Sequence, residues 1–199
     1  MSHMFHNSNL EELNISTFNT SNVEDMSYMF ASTELVELDF KEYPNFKTDK
    51  VKNMSYMFSY MNNLTKIDVW TFDTKTVEDM SYMFYDSNNL KYLDLTNFFT
   101  PNVSTFERMF AGTEKLETLS IACFTIKETT NVWYMFYDSR LGTWGQSKIF
   151  YLPDKLSTAY LYKHYYDSDG IIRHYKSRLE PHNCDCTYSM QETYCPSES

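Results

Sequence analysis

The chain has 199 residues and a formal net charge of −10 at neutral pH, with 17 Lys and Arg against 27 Asp and Glu. This acidic balance repels a phosphate backbone, so nucleic acid is excluded as a partner. The sequence has no apolar run of the roughly 18 to 20 residues that a membrane span requires, no phosphate-binding glycine loop, and no G-x-S-x-G or H-E-x-x-H motif. We therefore expect no enzyme activity, no cofactor, no catalytic or metal-binding residue, and no membrane insertion by this segment.

A recurring Met-Phe pair divides residues 1–143 into six repeat units, which we number in chain order. The pairs lie at Met4-Phe5, Met29-Phe30, Met57-Phe58, Met83-Phe84, Met109-Phe110 and Met135-Phe136, so successive spacings are 25, 28, 26, 26 and 26 residues. Around each pair the sequence approaches V-x-x-M-S-Y-M-F. A fixed period of this length is typical of a repeat array, in which stacked units bury one continuous core.

Each unit contains two segments with different apolar periods. In unit 4, Val77, Met80, Met83 and Phe84 fall on one stripe of a short helix or a 3₁₀-like turn. The L-x-x-L-x-L segment that follows alternates apolar and polar residues at 93–95, which is the period of a strand with one buried face. The sequence therefore predicts a strand on one side of each unit and a short helix or 3₁₀ turn on the other.

Two places depart from the regular pattern. Met1 falls in register with Met26, so the chain starts within a repeat, and we favour a fragment of a longer array over a first Met that replaces a lost upstream segment. In unit 2, Leu38 to Phe46 is longer than the matching segments and contains Pro44. A bulge is expected to project there.

Outward positions of the predicted strands differ from unit to unit, which is where a repeat scaffold can encode binding specificity. The candidate partner-binding residues are Lys41, Lys66, Asp68, Trp70, Tyr92 and Asp94. Trp70 and Tyr92 are the large anchors that interfaces favour; the alternative is a surface with scattered aromatic residues. The carboxylate row formed by Asp39, Asp68 and Asp94 is expected to be solvated or hydrogen-bonded, because Ca²⁺ needs six or more oxygens.

Four tyrosines repeat within the Met-Phe segments, at Tyr28, Tyr56, Tyr82 and Tyr134. Their spacing matches the repeat, so equivalent side chains of neighbouring units should lie next to one another. We interpret them as a stacked ladder and not as a binding site.

Residues 144–199 differ from the repeat and are predicted to form a C-terminal cap that shields the last unit from water. Residues 148–152 are typical of a strand, and Pro153 is suited to start a helix. A further strand is expected at 171–175.

Three of the four cysteines, Cys184, Cys186 and Cys195, lie in this last part of the chain. A disulfide that joins Cys195 to Cys184 or Cys186 is one interpretation. A zinc site that includes His182 and reduced thiols are the others, although the spacing lacks the usual C-x₂₋₄-C pair. Cys123 follows the unit 5 strand and is interpreted as a small packing residue.

The segments V-E-D-M-S-Y-M-F, L-x-x-L-D-L and F-x-T-x-x-V resemble the BspA-like leucine-rich repeat family, a 26-residue repeat of bacterial surface proteins that include those of mycoplasmas. The resemblance implies an α/β solenoid, a right-handed leucine-rich-repeat array with a parallel β-sheet on one face, short helices or 3₁₀ turns on the other, and a closing strand-helix cap. It also implies an extracellular location on the bacterial surface, adhesion or host-factor binding, and no catalytic residues.

The expected function is therefore a non-enzymatic protein-binding or adhesion module that presents a solenoid face to a protein or host surface molecule. A structural spacer within a larger surface protein is the first alternative. A metal-binding module formed by the tail is the second. The sequence does not identify the partner or the oligomeric state.

Overall fold

The computed structural model describes residues 1–140 and the backbone of residues 149–151. Five short strands are present: β1 (Glu37–Asp39), β2 (Lys66–Asp68), β3 (Tyr92–Asp94), β4 (Thr118–Ser120) and β5 (Ile149–Tyr151). A 3₁₀-helix spans Phe40–Glu42. Turns and irregular segments make up the rest of the described chain, in which no α-helix occurs. The helix expected after Pro153 and the strand expected at 171–175 lie outside the described residues.

All strand pairs are parallel, and they join equivalent positions of successive units. β1 pairs with β2 so that Leu38 lies beside Ile67, and β3 pairs with β4 so that Leu93 lies beside Leu119. β2 and β3 contact each other without forming a regular pair. β5, within the strand expected at 148–152, continues the second sheet beside β4. In unit 1 the matching segment forms no strand.

The Met-Phe segments are runs of turns; of the two expected forms, a short helix or a 3₁₀-like turn, the helix is absent from the described residues. In unit 2 the N–H of Tyr28 donates to the Ser55 carbonyl of unit 3 at 3.0 Å, whereas the N–H of Met29 donates back to Met26 at 3.2 Å. Tyr28 has a φ of +56°. Such a left-handed residue cannot continue a right-handed helix, and it turns alternate N–H groups toward the next unit.

Positive φ values recur at two positions of every unit. The first row comprises His3, Tyr28, Tyr56, Tyr82, Arg108 and Tyr134, and the second comprises Asn7, Ser32, Tyr60, Asp86, Gly112 and Asp138. Because the same backbone conformation returns in each unit, successive turn segments are superimposable. This allows the same hydrogen bonds to form between each unit and the next.

The core consists of side-chain rows that run through the units. Phe rings of the Met-Phe pairs stack from Phe5 to Phe136 with centroid separations between 5.5 and 5.9 Å. A second row contains Phe46, Phe72 and Phe98, with rings 5.9 and 6.3 Å apart. Since each ring packs between rings of adjacent units, no unit buries its apolar face alone.

The lengthened segment of unit 2, where a projecting bulge is expected, has Lys41, Glu42, Pro44 and Asn45 exposed, while two of its aromatic residues contact neighbouring units. Phe40, at the start of the 3₁₀-helix, is buried with its ring 4.8 Å from that of Phe72. The Tyr43 hydroxyl donates to the Leu13 carbonyl at 2.7 Å. Tyr43 thus covers part of unit 1, while Glu42 and Pro44 on either side of it are exposed.

Buried threonines connect successive units through both their donor and acceptor functions. The Thr48 hydroxyl donates to the Asp73 carbonyl at 2.9 Å and accepts from the Asp73 N–H at 2.8 Å. Thr20 makes the same pair of bonds with Lys47. These hydroxyls satisfy backbone groups where no strand ladder is available.

We predict that Thr48→Val lowers the free energy of unfolding by about 1 to 3 kcal/mol, because valine has a similar shape but leaves the Asp73 N–H and carbonyl without their partner. Urea denaturation followed by circular dichroism measures the change. Thr65→Val is the matched control, since Thr65 is exposed and donates only one bond, to the Val36 carbonyl at 3.2 Å. Equal losses for the two variants would contradict the prediction.

Candidate functional site

The predicted partner-binding residues lie on the outward side of the strands and of the segments that follow them. Trp70 is 52% exposed and Tyr92 is 61% exposed. Lys66 begins β2 and Tyr92 begins β3, so they occupy equivalent positions in adjacent units, and Glu37 of β1 lies beside Lys66. We call the surface formed by these residues the strand face; its members are Glu37, Asp39, Lys41, Lys66, Asp68, Trp70, Tyr92 and Asp94.

The carboxylates of the strand face hold the chain as it leaves each strand. Asp68 Oδ1 accepts from the Trp70 N–H at 2.9 Å, which fixes the backbone that bears the indole. Asp39 accepts from the Lys41 N–H at 2.9 Å, and Asp94 accepts from both the N–H and the hydroxyl of Thr96. This repeated bond gives the carboxylate row a structural role.

One predicted pair is joined directly. Lys41 Nζ lies 2.6 Å from Asp68 Oδ2, so Asp68 contacts the backbone of Trp70 with one oxygen and Lys41 with the other. The hydrogen bond to Asp68 is the main reason why the pKa of Lys41 is raised, and the charge of Asp68 adds to it. Both side chains are partly exposed, so the ion pair serves mainly to orient them and adds little stability.

Within residues 1–140 and 149–151, no group of three or more His, Cys, Asp or Glu side chains is arranged to hold a metal ion. On the strand face, the Oδ1 atoms of Asp39, Asp68 and Asp94 are already occupied by backbone N–H groups. The tail residues considered for zinc, His182, Cys184, Cys186 and Cys195, lie outside the described part of the chain.

The tyrosine row stacks as expected in three units but is interrupted in the fifth. Rings of Tyr28, Tyr56 and Tyr82 lie 4.3 and 4.4 Å apart and nearly parallel. Burial within this stack raises the pKa of Tyr56, with smaller effects from the neighbouring tyrosines. Arg108 occupies the next position, its guanidinium 5.8 Å from the Tyr82 ring and 5.0 Å from the Tyr134 ring. The row therefore continues through cation–π contacts.

Three exposed aromatic residues of the turn segments were missed by the sequence analysis: Tyr60, Trp133 and Tyr137, with exposures of 41%, 58% and 46%. The signal was present, because units 2, 3 and 4 have Ser27, Ser55 and Ser81 where unit 6 has Trp133. Equivalent positions of the turn segments therefore differ between units, as the outward positions of the strands do.

Cys123 is disulfide-bonded, which corrects its interpretation as a packing residue. It is only partly buried, at the point where the chain leaves β4. The other cysteines, Cys184, Cys186 and Cys195, lie outside the described residues, so the pairing expected among them stays a prediction. The sequence analysis missed this bond because cysteine spacing alone does not fix connectivity.

Over the described residues, no helix has the length and apolar character needed to cross a membrane. No curated protein matches the chain. No solved structure matches it either.

One family model matches the chain over residues 1–71 and again over 60–149. The two matches together cover residues 1–149 and contain all six repeat units. The family is described as Mycoplasma protein of unknown function, DUF285. Because the matched residues make up well over half of the sequence, the chain belongs to the DUF285 family.

Proposed function

We propose that this protein is a BspA-like leucine-rich-repeat solenoid, right-handed, that acts as a non-enzymatic adhesion module on the outer surface of a bacterial cell. The observation that carries the proposal is the strand face, where Trp70 and Tyr92 are exposed on backbone fixed by regular hydrogen bonds. Rigid aromatic side chains lose little conformational entropy on binding, which suits them as anchors.

The repeat geometry supports the solenoid part of this proposal. Equivalent residues lie side by side at intervals of about one repeat, both in the parallel strands and in the bridges Asp25–Asn53, Asn53–Asp79 and Asp79–Thr105. Each unit uses these contacts to bury its apolar side against the next. The family description, a Mycoplasma protein, agrees with a repeat known from bacterial surface proteins.

The disulfide of Cys123 supports a location outside the cytoplasm. Disulfides persist in oxidising compartments, whereas thiols are kept reduced in the cytosol. The net charge of −10 favours a basic partner and speeds its approach at low ionic strength.

The proposal predicts that beads coated with the protein adhere to cultured epithelial cells and that the double variant Trp70→Ala/Tyr92→Ala adheres at least about tenfold less, because loss of central aromatic anchors costs 2 kcal/mol or more each. Bead counts by microscopy measure adhesion. Circular dichroism and the melting temperature should stay unchanged, since both side chains are exposed.

Trp133→Ala is the matched control, because Trp133 is as exposed as Trp70 but lies on a turn segment. It should adhere like the wild-type protein. If wild-type beads bind no better than albumin-coated beads, the spacer function replaces adhesion. If the double variant binds normally, the strand face is not the binding surface.

A further inference from the structure

The outward positions of unit 5 are buried, although the equivalent positions of units 2 to 4 are open to solvent. Ser120 lies beside Asp94 in the sheet and is only 5% exposed, whereas Asp94 is exposed. Ala122, at the position that Trp70 occupies in unit 3, is only 4% exposed. The same side of the sheet is thus open as far as unit 4 and closed at unit 5.

Neighbouring strands do not account for this burial. Asp68 lies beside Asp39, and its strand contacts β3 on the other side, yet the Asp68 side chain remains 29% exposed. Ser120 is flanked in the same way, by Asp94 and Tyr151. Flanking strands leave the outward side of a sheet open, so the burial of Ser120 requires a further layer of chain in front of the sheet.

The residue types of unit 5 fit a covered surface. Units 2 to 4 have a carboxylate in this row, at Asp39, Asp68 and Asp94, whereas unit 5 has the uncharged Ser120. Ala122 is likewise smaller than its equivalents in the other units. A buried carboxylate without a cation would be far more costly than a hydroxyl, which explains the loss of charge. The Ser120 hydroxyl oxygen is buried without a hydrogen-bond partner among the described residues, a cost that an open surface would not impose.

A disulfide identifies the chain that covers this surface. Cys123 directly follows Ala122 and is disulfide-bonded. The other cysteines of the protein are Cys184, Cys186 and Cys195, so one of these three is attached beside the buried positions. Residues 152–199 continue from β5, which lies next to β4, and the chain therefore passes unit 5 and returns to it.

We propose that the segment from Cys184 to Cys195 lies over the outward surface of unit 5, anchored by the bond to Cys123 and packed on Ser120 and Ala122. This contact differs from the expected cap, which shields the end of the array, because it covers the outward side of a unit. The surface open to a partner then ends at unit 4. The contact is made within the chain, so it does not depend on the proposed adhesion.

Digestion with trypsin without reduction tests the anchor. Cleavage at lysine and arginine releases Cys123 in peptide 116–127 and the other three cysteines together in peptide 179–199. We expect mass spectrometry to find these two peptides as one linked species that separates on reduction. Recovery of peptide 116–127 unlinked from the oxidised protein would overturn the proposal.

A charge placed on the covered surface tests the contact itself. Ser120→Asp introduces the residue of units 2 to 4, which an open surface tolerates but a covered surface must desolvate. We expect chymotrypsin to cleave the native full-length variant after Tyr188 and Tyr194 at least about tenfold faster than the wild type, because the segment is displaced and cleavage follows the population of the open form. Mass spectrometry after quenching and reduction measures both rates. Asn14→Asp is the matched control, since it changes charge in the same row at an exposed position of unit 1, and its rates should equal those of the wild type.

The proposal is overturned if Ser120→Asp leaves both rates unchanged, or if the wild-type protein is cleaved there as fast as a synthetic peptide of residues 179–199. Cleavage after the buried Phe84 reports unfolding of the array separately. If Ser120→Asp unfolds the array, Ala122→Trp, which introduces the residue of unit 3, must give the same rise without cleavage after Phe84.

Discussion

Phe84→Ala is expected to lower the free energy of unfolding by about 3 to 5 kcal/mol, which is the usual cost of truncating a buried phenylalanine. Phe84 is fully buried, and its ring packs between those of Phe58 and Phe110 at 5.5 and 5.9 Å. Removing it takes away a contact on both sides and leaves a cavity in the centre of the stack. Urea denaturation monitored by circular dichroism measures the loss.

Phe5→Ala is the matched control for this prediction. Phe5 occupies the same position in unit 1, but it is only partly buried and stacks within its row on one ring, that of Phe30 at 5.5 Å. Because it has fewer contacts and exposes more surface, we expect less than half the loss found for Phe84→Ala. Similar losses at the two positions would show that the central units do not depend on the stacked rings.

Cys123→Ser is expected to lower the free energy of unfolding by about 2 to 5 kcal/mol, the usual cost of removing a native disulfide. Cys123 is disulfide-bonded, and every other cysteine of the chain lies at or beyond position 184. The bond therefore closes a long loop, which is where a cross-link restricts the unfolded chain most. Urea denaturation under oxidising conditions compares the variant with the wild type.

Reduction provides the control for the cysteine variant. With dithiothreitol the wild-type protein should lose the same stability as the variant, and the two unfolding curves should then coincide. Wild-type protein that is equally stable with and without dithiothreitol would contradict a structural role for this bond.

The strands were predictable from sequence because their pattern has only one simple reading. Leu93 and Leu95 are apolar and Asp94 between them is polar, so in a strand the two leucines face one side and the aspartate faces the other. The repeat spacing indicates which residues of successive units become neighbours. The structure has Leu93 beside Leu119. The outward positions of Trp70 and Tyr92 follow from the same alternation.

The turn segments were less predictable because their apolar spacing is ambiguous. Val77, Met80 and Met83 are spaced three residues apart in the sequence, and all three are buried. This spacing fits one face of a helix, but it fits a series of three-residue turns equally well. The left-handed backbone at Tyr82 has no signal of its own, since tyrosine rarely adopts it. The second left-handed row does have a sequence signal, because it contains Asn7 and Asp138, and asparagine and aspartate favour this conformation.

The candidate site was predicted only in part for a similar reason. The strand face was predictable because the alternation of each strand marks its outward positions, and the residues at those positions differ between units. The exposed aromatic residues Tyr60, Trp133 and Tyr137 lie on turn segments, where an ambiguous apolar spacing does not identify the outward positions.

The alternating hydrogen bonds of the turn segments give the stack a direction. The N–H groups of His3, Phe5 and Asn7 all donate to carbonyls of unit 2. The N–H groups of Tyr28 and Tyr56 donate in the same way to carbonyls of the unit that follows them. A unit turned end for end would oppose acceptor to acceptor within these segments, so the units stack in one orientation only.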